Sequence, residues 1–267
     1  MRICVCIKEI QDPEMHASIF RVDEQKMESI PLPGLPLVTS PFDEQAIEAA
    51  LRIRDGGGDA RISLLTFGPS TVLRAIKRGL SMGADDGIVV SDAEFEGADS
   101  YATAHILAAA IRKAGDFDLI LTGRQAADWD SGIVGCGIAE LLRIPVVTFA
   151  KSVRLDGNSL RVERVLDDGV ETVKTGMPCV VTISNELGEP RKASLRETMR
   201  AAKKPVVTWT AESIGVEVTA QRVQEPSHVR KRLFVPVKES HCEFVSAASA
   251  PETARLLVEK LAAAKLI

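Results

Sequence analysis

Apolar residues in the amino-terminal half of this chain alternate between short continuous runs and stretches with helical spacing. Arg2 to Lys8 is nearly all apolar, with Cys4 and Cys6 on one face and Ile3, Val5 and Ile7 on the other, as in a strand buried on both sides. After a long polar connection from Glu9 to Ser40, Ser40-Pro41-Phe42-Asp43 reads as a helix start: a cap, a proline at the first position, then acid in the first turn. Ile47, Ala50 and Leu51 give that helix its apolar face, and Gly56-Gly57-Gly58 ends it. Arg61 to Thr66 is the next strand, Phe67 to Ser70 the turn, and Val72, Leu73, Ile76 and Leu80 the face of a second helix. Gly87 to Val90 and then Ile106, Leu107, Ala110 and Ile111, capped by Asp99-Ser100 and stopped by Gly115, repeat the unit before the strand Asp118 to Leu121.

Repeated β-α units predict the α/β class: a parallel sheet covered by helices on both faces. Ligands of such sheets sit beyond the carboxyl ends of the strands. That rule places Cys6 to Glu9, Phe67 to Ser70, Asp99 to Thr103 and Gly123 to Val134 along one crevice. Loops as long as Glu9 to Ser40 are usually functional or partner-bound.

The stretch from Gly123 to Glu140 reads as a strand end, a polar loop and a helix start. Asp128, Asp130 and Ser131 offer capping oxygens, and Gly132, Gly135 and Gly137 keep side chains off the first turns. Open N–H groups at such a helix start suit a phosphate. A plain capped helix with small residues against a neighbour fits the glycines equally well, because their spacing is not G-x-G-x-x-G.

From Val146 onward the pattern becomes alternation. Val153 and Leu155, a turn at Asp156-Gly157-Asn158, then Leu160 and Val162 predict a β-hairpin, and Asp167-Asp168-Gly169 another turn before the apolar run Pro178 to Ser184. Arg191 to Lys204 is a basic helix candidate, Pro205 to Val237 shows no helical period, and Pro251 to Ala264 reads as a final helix. The division expected is a nucleotide-binding α/β domain over 1–225 and an arm and helix over 226–267 that need a partner surface.

With 267 residues, 45% of them apolar, the chain can bury a large core. A net charge of −4 argues against wholesale nucleic-acid binding, and the basic runs at Arg191 to Lys204 and Arg230 to Arg232 lack interleaved aromatics. Five cysteines without a C-x-x-C pair, and only four histidines, give no metal-ligand spacing. No apolar run approaches the roughly 20 residues of a membrane helix, so a cytoplasmic protein without membrane insertion is expected. Neither Ser100, Ser131 nor any histidine stands in a nucleophile-base setting, so no catalytic residue is assigned.

Taken together, the segments resemble the β subunit of electron-transfer flavoproteins, the EtfB/FixA family, over nearly the whole chain. The resemblance is carried by Val162-Glu-Arg-Val-Leu-Asp-Asp-Gly-Val-Glu-Thr-Val173 with Pro178-Cys-Val-Val-Thr182. Beside it stand Gly123-x-Gln125-x-x-Asp128-x-Asp130, Ser40-Pro41-Phe42, Ala98-Asp99-Ser100-x-Ala102-Thr103 and Glu189-Pro190-Arg191-x-x-Ser194-Leu195. It implies a Rossmann-like domain of the adenine-nucleotide α-hydrolase kind with a β-hairpin insertion and a carboxyl-terminal arm that wraps an α subunit. It also implies a redox FAD held mainly by that α subunit, and AMP or a second FAD in the β subunit. By position Cys6, Ser40, Phe67, Gly123, Arg124, Gln125, Asp128, Asp130, Ser131 and Val134 would line the nucleotide crevice, several through backbone groups. Asp99, Ser100 and Thr103 could reach a second phosphate, Phe42 matches an aromatic abutting the flavin, and Leu195, flanked by Arg191 and Arg196, matches a loop that docks on acyl-CoA dehydrogenases.

Two forms of this function are expected: a carrier from flavin dehydrogenases to a quinone-linked oxidoreductase, and a bifurcating subunit oxidising NADH at a β-site FAD. The AMP-binding members usually read Gln-Thr-Gly where this chain reads Ile133-Val134-Gly135, and valine there is more like the bifurcating members. A stand-alone ATP-binding stress-type module shares the general fold, but the signature at Val162 to Thr182 and the long arm count against it.

Overall fold

A computed structural model describes residues 1–215, 231–235 and 242–267. β1 (Arg2–Ile7) leads into the long connection, which carries two small antiparallel ribbons: β2 (Glu9–Ile10) pairs with β5 (Val38–Thr39), and β3 (Val22–Asp23) with β4 (Glu28–Ser29). Then follow α1 (Pro41–Asp55), β6 (Arg61–Phe67), α2 (Leu73–Met82), β7 (Asp86–Val90), α3 (Ser100–Ala114), β8 (Leu119–Gly123) and α4 (Val134–Leu142). The repeated β-α units expected from the spacing are all present.

β9 (Val146–Asp156), β10 (Ser159–Leu166) and β11 (Gly169–Gly176) form a meander, and β12 (Cys179–Ile183) follows. The alternating segment is thus more than a hairpin, and it is no separate layer: one nine-stranded sheet runs β11-β10-β9-β12-β8-β1-β6-β7, closed by β13 (Val206–Trp209). β12 inserts between β8 and β9, parallel to both, while β10 pairs antiparallel with β9 on one side and β11 on the other. β13 lies in the stretch where no helical period was found; it is a four-residue edge strand parallel to β7, too short to show periodicity.

The two faces of β1 build two cores, as its alternation predicts. Ile3, Val5 and Ile7 join Ile47 and Leu51 of α1 and Ile76 and Leu80 of α2. Cys4 and Cys6 join Ile106 and Leu107 of α3 and Ile138 of α4 on the other side. Burying isoleucine and leucine side chains stabilises by roughly 1.5–3 kcal/mol each, which makes these layers the rigid frame of the crevice.

The basic helix is shorter than expected. α5 (Leu195–Ala201) begins where Ser194 and Glu197 form a capping box, so Arg191 to Ala193 lie outside the helix. After β13 comes the single turn α6 (Ala211–Ile214). The final helix, Ala250–Ala263, has no buried residue, and Leu257 and Val258 face solvent at 46% and 54% exposure. The expected domain division at 225–226 lies outside the described residues.

Candidate functional site

β1 and β8 pair only from Ile3↔Leu119 to Val5↔Leu121. Beyond that, β1 stays with β6 as far as Ile7↔Thr66, and β8 stays with β12 as far as Gly123↔Ile183. The sheet therefore forks at the carboxyl ends of its central strands, where helix connections switch from one face to the other.

The side chain of Asp43, third residue of α1, fills the fork. Its Oδ2 accepts the Lys8 N–H at 2.8 Å and its Oδ1 the Gly123 N–H at 3.0 Å, with the residue only 6% exposed. Burial pushes this carboxyl up to about 7, although the two backbone N–H groups and the Lys8 ammonium favour its charged form; Asp128 adds to the rise. A Cβ on Gly123 would stand 2.6 Å from Asp43 Oδ1 and 2.7 Å from Phe42 Cβ, so this close approach requires glycine. Ser40, at the cap of α1, is wholly buried, and its hydroxyl has no hydrogen-bond partner among the described residues.

The loop after β8 closes the rim. Lys8 Nζ donates to Asp128 Oδ2 at 2.6 Å, and Gln125 Nε2 to Asp130 Oδ1 at 2.8 Å. Asp130 has φ +50° and Gly132 φ +66°, left-handed residues that fold the loop back. Ser100 Oγ donates to Ser131 Oγ at 3.0 Å, which ties this loop to the start of α3, where Asp99 Oδ1 accepts the Ala102 N–H at 2.8 Å. Thr103 follows in the same first turn.

The expected capping of α4 is not found. Its cap is Ile133, without a side-chain hydrogen bond, because Asp128, Asp130 and Ser131 are occupied by Lys8, Gln125 and Ser100. α4 therefore begins at Val134 with its first N–H groups lacking a side-chain cap. Two of its glycines serve packing: a Cβ on Gly135 would come within 2.6 Å of Thr122 Oγ1, and one on Gly137 within 2.8 Å of Ala104 Cβ.

Arg124 lies between two aromatic rings. Its guanidinium carbon is 5.2 Å from the centre of Phe42 and 5.7 Å from that of Phe149, and Nη1 donates to Ser184 Oγ at 3.3 Å. This stack fixes Phe42 beside the crevice. Two of the expected residues stand apart from it. The Cys6 thiol is buried in the core next to Cys4, which with burial holds it well above its usual range, so only its backbone can face a ligand. Phe67 packs edge to face on Phe95, 5.6 Å between centres.

Asp43 and Phe149 border the fork and sequence reasoning missed them, while Lys8 lies in the Cys6 to Glu9 segment expected along the crevice but was given no role of its own. Asp43 had looked like any acid in a first helical turn, and Lys8 like a polar strand end. Only Phe149, a left-handed aromatic at φ +58°, is unusual, and that conformation is invisible in a sequence.

A model described as an electron transfer flavoprotein domain matches residues 34–214. The caffeyl-CoA reductase-Etf complex subunit CarD of Acetobacterium woodii is 34% identical, covering 98% of this chain and 98% of that protein. The chain belongs to the electron-transfer flavoprotein β-subunit family. The electron transfer flavoprotein subunit beta of Megasphaera elsdenii is 33% identical over 100% of both chains, and protein FixA of Azorhizobium caulinodans 35% identical over 88% of this chain and 85% of its own. Its role is accordingly flavin-associated electron transfer.

In this electron-transfer flavoprotein subunit a second surface lies at α5. Leu195 is 79% exposed and Met199 67%, an apolar pair on a helix that also carries Arg196 and Arg200. Arg191 does not share that surface freely, since its guanidinium is bound to Glu48 and Asp55 of α1. Among the described residues no helix is long and apolar enough to cross a membrane, and no group of histidine, cysteine and acidic residues could hold a metal. A cavity of about 500 Å³, lined by Arg2, Arg61, Asp86 and Phe117 among others, lies at the amino ends of β1, β6 and β7, away from the fork.

Proposed function

We propose that the chain is the β half of an αβ heterodimer that carries electrons from acyl-CoA-type flavin dehydrogenases to a quinone-linked oxidoreductase. The redox FAD is held mainly by the α subunit, and the forked crevice of this chain holds AMP. A flavin supplies the electron-accepting and electron-donating chemistry; these residues bind, orient and exclude water.

One observation carries the nucleotide assignment. At a single strand fork stand a buried serine hydroxyl without a partner among the described residues, on Ser40, and a glycine, Gly123, that lets the start of α1 close on the strand end. The uncapped start of α4 supplies N–H donors for a phosphate. Gln125, Asp128, Asp130, Ser131 and Val134 border that space, and Asp99, Ser100 and Thr103 extend it along α3. Phe42, braced by Arg124, presents an aromatic edge to the partner's flavin, and Leu195 with Arg196 docks the dehydrogenase.

A second reading is favoured by Val134. It leads α4 with an apolar side chain in place of a phosphate-binding hydroxyl, which suits a β-site FAD taking hydride from NADH and bifurcating its electrons. Co-expression with the α subunit, followed by denaturation and chromatography of released nucleotides, separates the two. One FAD and one AMP per heterodimer support the carrier; two FAD and no AMP support bifurcation. A chain that forms no flavin-containing complex would sink both.

A further inference from the structure

We infer that Asp43 is a positioning residue whose two carboxylate oxygens bridge the ends of β1 and β8 where these strands part, and so set the spacing of the nucleotide crevice. This rests on the reading of the fork as the nucleotide site.

The geometry requires a two-acceptor group. Past Val5 and Leu121 the central strands no longer exchange hydrogen bonds, yet each remains paired to its outer neighbour. Lys8 and Gly123 therefore each direct an N–H into the gap, and an unpaired buried N–H is costly to leave there. Asp43 supplies one oxygen to each, at 2.8 Å and 3.0 Å. Because it sits in the first turn of α1, the same two bonds fix the start of that helix, with Ser40 and Phe42, against the fork.

Asparagine could satisfy only one of the two donors, since its amide nitrogen would face the other N–H. Protonation makes one oxygen a weaker acceptor, so the ionised form is the better bridge of the two strand ends, at the cost of a buried charge. The titratable and charged groups that face Asp43 are Lys8 and Cys6 of the β1 end and Asp128 of the loop after β8. The Cys6 thiol stays neutral, and Lys8 is paired with Asp128 at 2.6 Å, so neither replaces the missing acceptor.

The test uses the heterodimer stripped of bound nucleotide, with AMP as the probe in calorimetry from pH 6 to 8.5. Wild type and Asp43→Asn are compared, and hydrogen exchange is followed at the Lys8 and Gly123 amides. The AMP phosphate itself titrates near pH about 6, so the difference between the two proteins at each pH is what counts. The expected result is an AMP affinity at least tenfold weaker in the variant at pH 8.5, a gap that narrows toward pH 6, and faster exchange at one or both amides. Equal affinities at every pH would overturn the inference, as would a variant that melts earlier while binding AMP as wild type does. If Asp43→Asn does not assemble, wild-type exchange decides: the Lys8 and Gly123 amides should be as well protected as the paired strand amides beside them, and fast exchange at both would overturn it. Wild type that binds no AMP and no FAD would instead remove the nucleotide reading on which the inference stands.

Discussion

Arg191 wraps the carboxylate of Glu48, 143 residues away in sequence, with three donors: its backbone N–H at 3.1 Å and Nε at 2.7 Å to Oε2, and Nη2 at 3.2 Å to Oε1. Nη2 also reaches Asp55 Oδ2 at 2.7 Å, and Arg52 adds Nε to Glu48 Oε1 at 2.9 Å. Helix α1 thus touches both the fork and the segment that leads to α5. Its first turn carries Phe42 and Asp43 at the fork, and its later turns hold the segment that leads to Leu195.

Removing Arg191 leaves a nearly buried carboxylate with Arg52 as its remaining charged partner. Arg191→Ala should lower stability by about 2 kcal/mol, the lower range for a broken buried pair because the arginine is partly exposed. Arg191→Lys should recover less than half, since an ammonium cannot reproduce the planar fork. Urea denaturation of the heterodimer measures both, and proteolysis should show residues 187–194 cut faster. Unchanged denaturation midpoints would remove the latch.

Leu195 makes the opposite case. At 79% exposure its truncation to alanine should change stability by no more than about 0.5 kcal/mol. If α5 docks the electron donor, the same change should raise the KM for the dehydrogenase several-fold while kcat for electron transfer stays near wild type. A KM that does not move would place docking elsewhere.

Gly135 brings α4 against β8 and β12. Alanine there would put its Cβ 2.6 Å from Thr122 Oγ1 and 2.8 Å from Thr182 Cγ2, atoms of short, buried side chains with no room to retreat. Gly135→Ala should destabilise by about 1–3 kcal/mol and release nucleotide more readily, because the start of α4 moves with the helix. Melting of the heterodimer and its nucleotide content after dialysis check the two effects. A variant that melts normally and keeps its nucleotide would contradict the packing.

Two buried carboxyls give stability opposite pH slopes. Burial pushes Glu48 up, but the hydrogen bonds of Arg191 and Arg52 outweigh it and hold it below its usual value. Its contribution is present above the unfolded value and is lost as pH falls below about 4.5. Asp43, raised from 3.8 to about 7, binds its proton more tightly in the folded state, so its contribution is present in acid and is lost as pH rises through about 7. Of these two carboxyls, only Asp43 titrates between pH 5 and 7. Relative to Asp43→Asn, wild type should lose stability across that interval, by about 2.5 kcal/mol at most. Parallel denaturation midpoints from pH 5 to 7 would show that Asp43 is not raised.

Apart from the two-residue strands β2 to β5, the order of strands and helices through β8 was legible in the sequence because it depends on local periodicity. Apolar runs, helical spacing and capping residues such as Ser40-Pro41 and Asp99 are properties of neighbouring residues, and each produced the element expected. The candidate loops were legible for the same reason, since strand ends follow once strands are known. Where the local signal was weak, as in the four residues of β13, nothing marked the element.

Tertiary structure alone decided what joins what. That β12 slides between β8 and β9, that Asp128 and Ser131 are drawn to Lys8 and Ser100 instead of capping α4, and that Arg191 is claimed by Glu48 all depend on residues far apart in the chain. Asp43 shows the reason most directly. Its composition and position say only that an acid starts a helix; its burial, raised pKa and two strand-end hydrogen bonds exist because a sheet forks beneath it, and a fork is a property of packing, not of any segment of sequence.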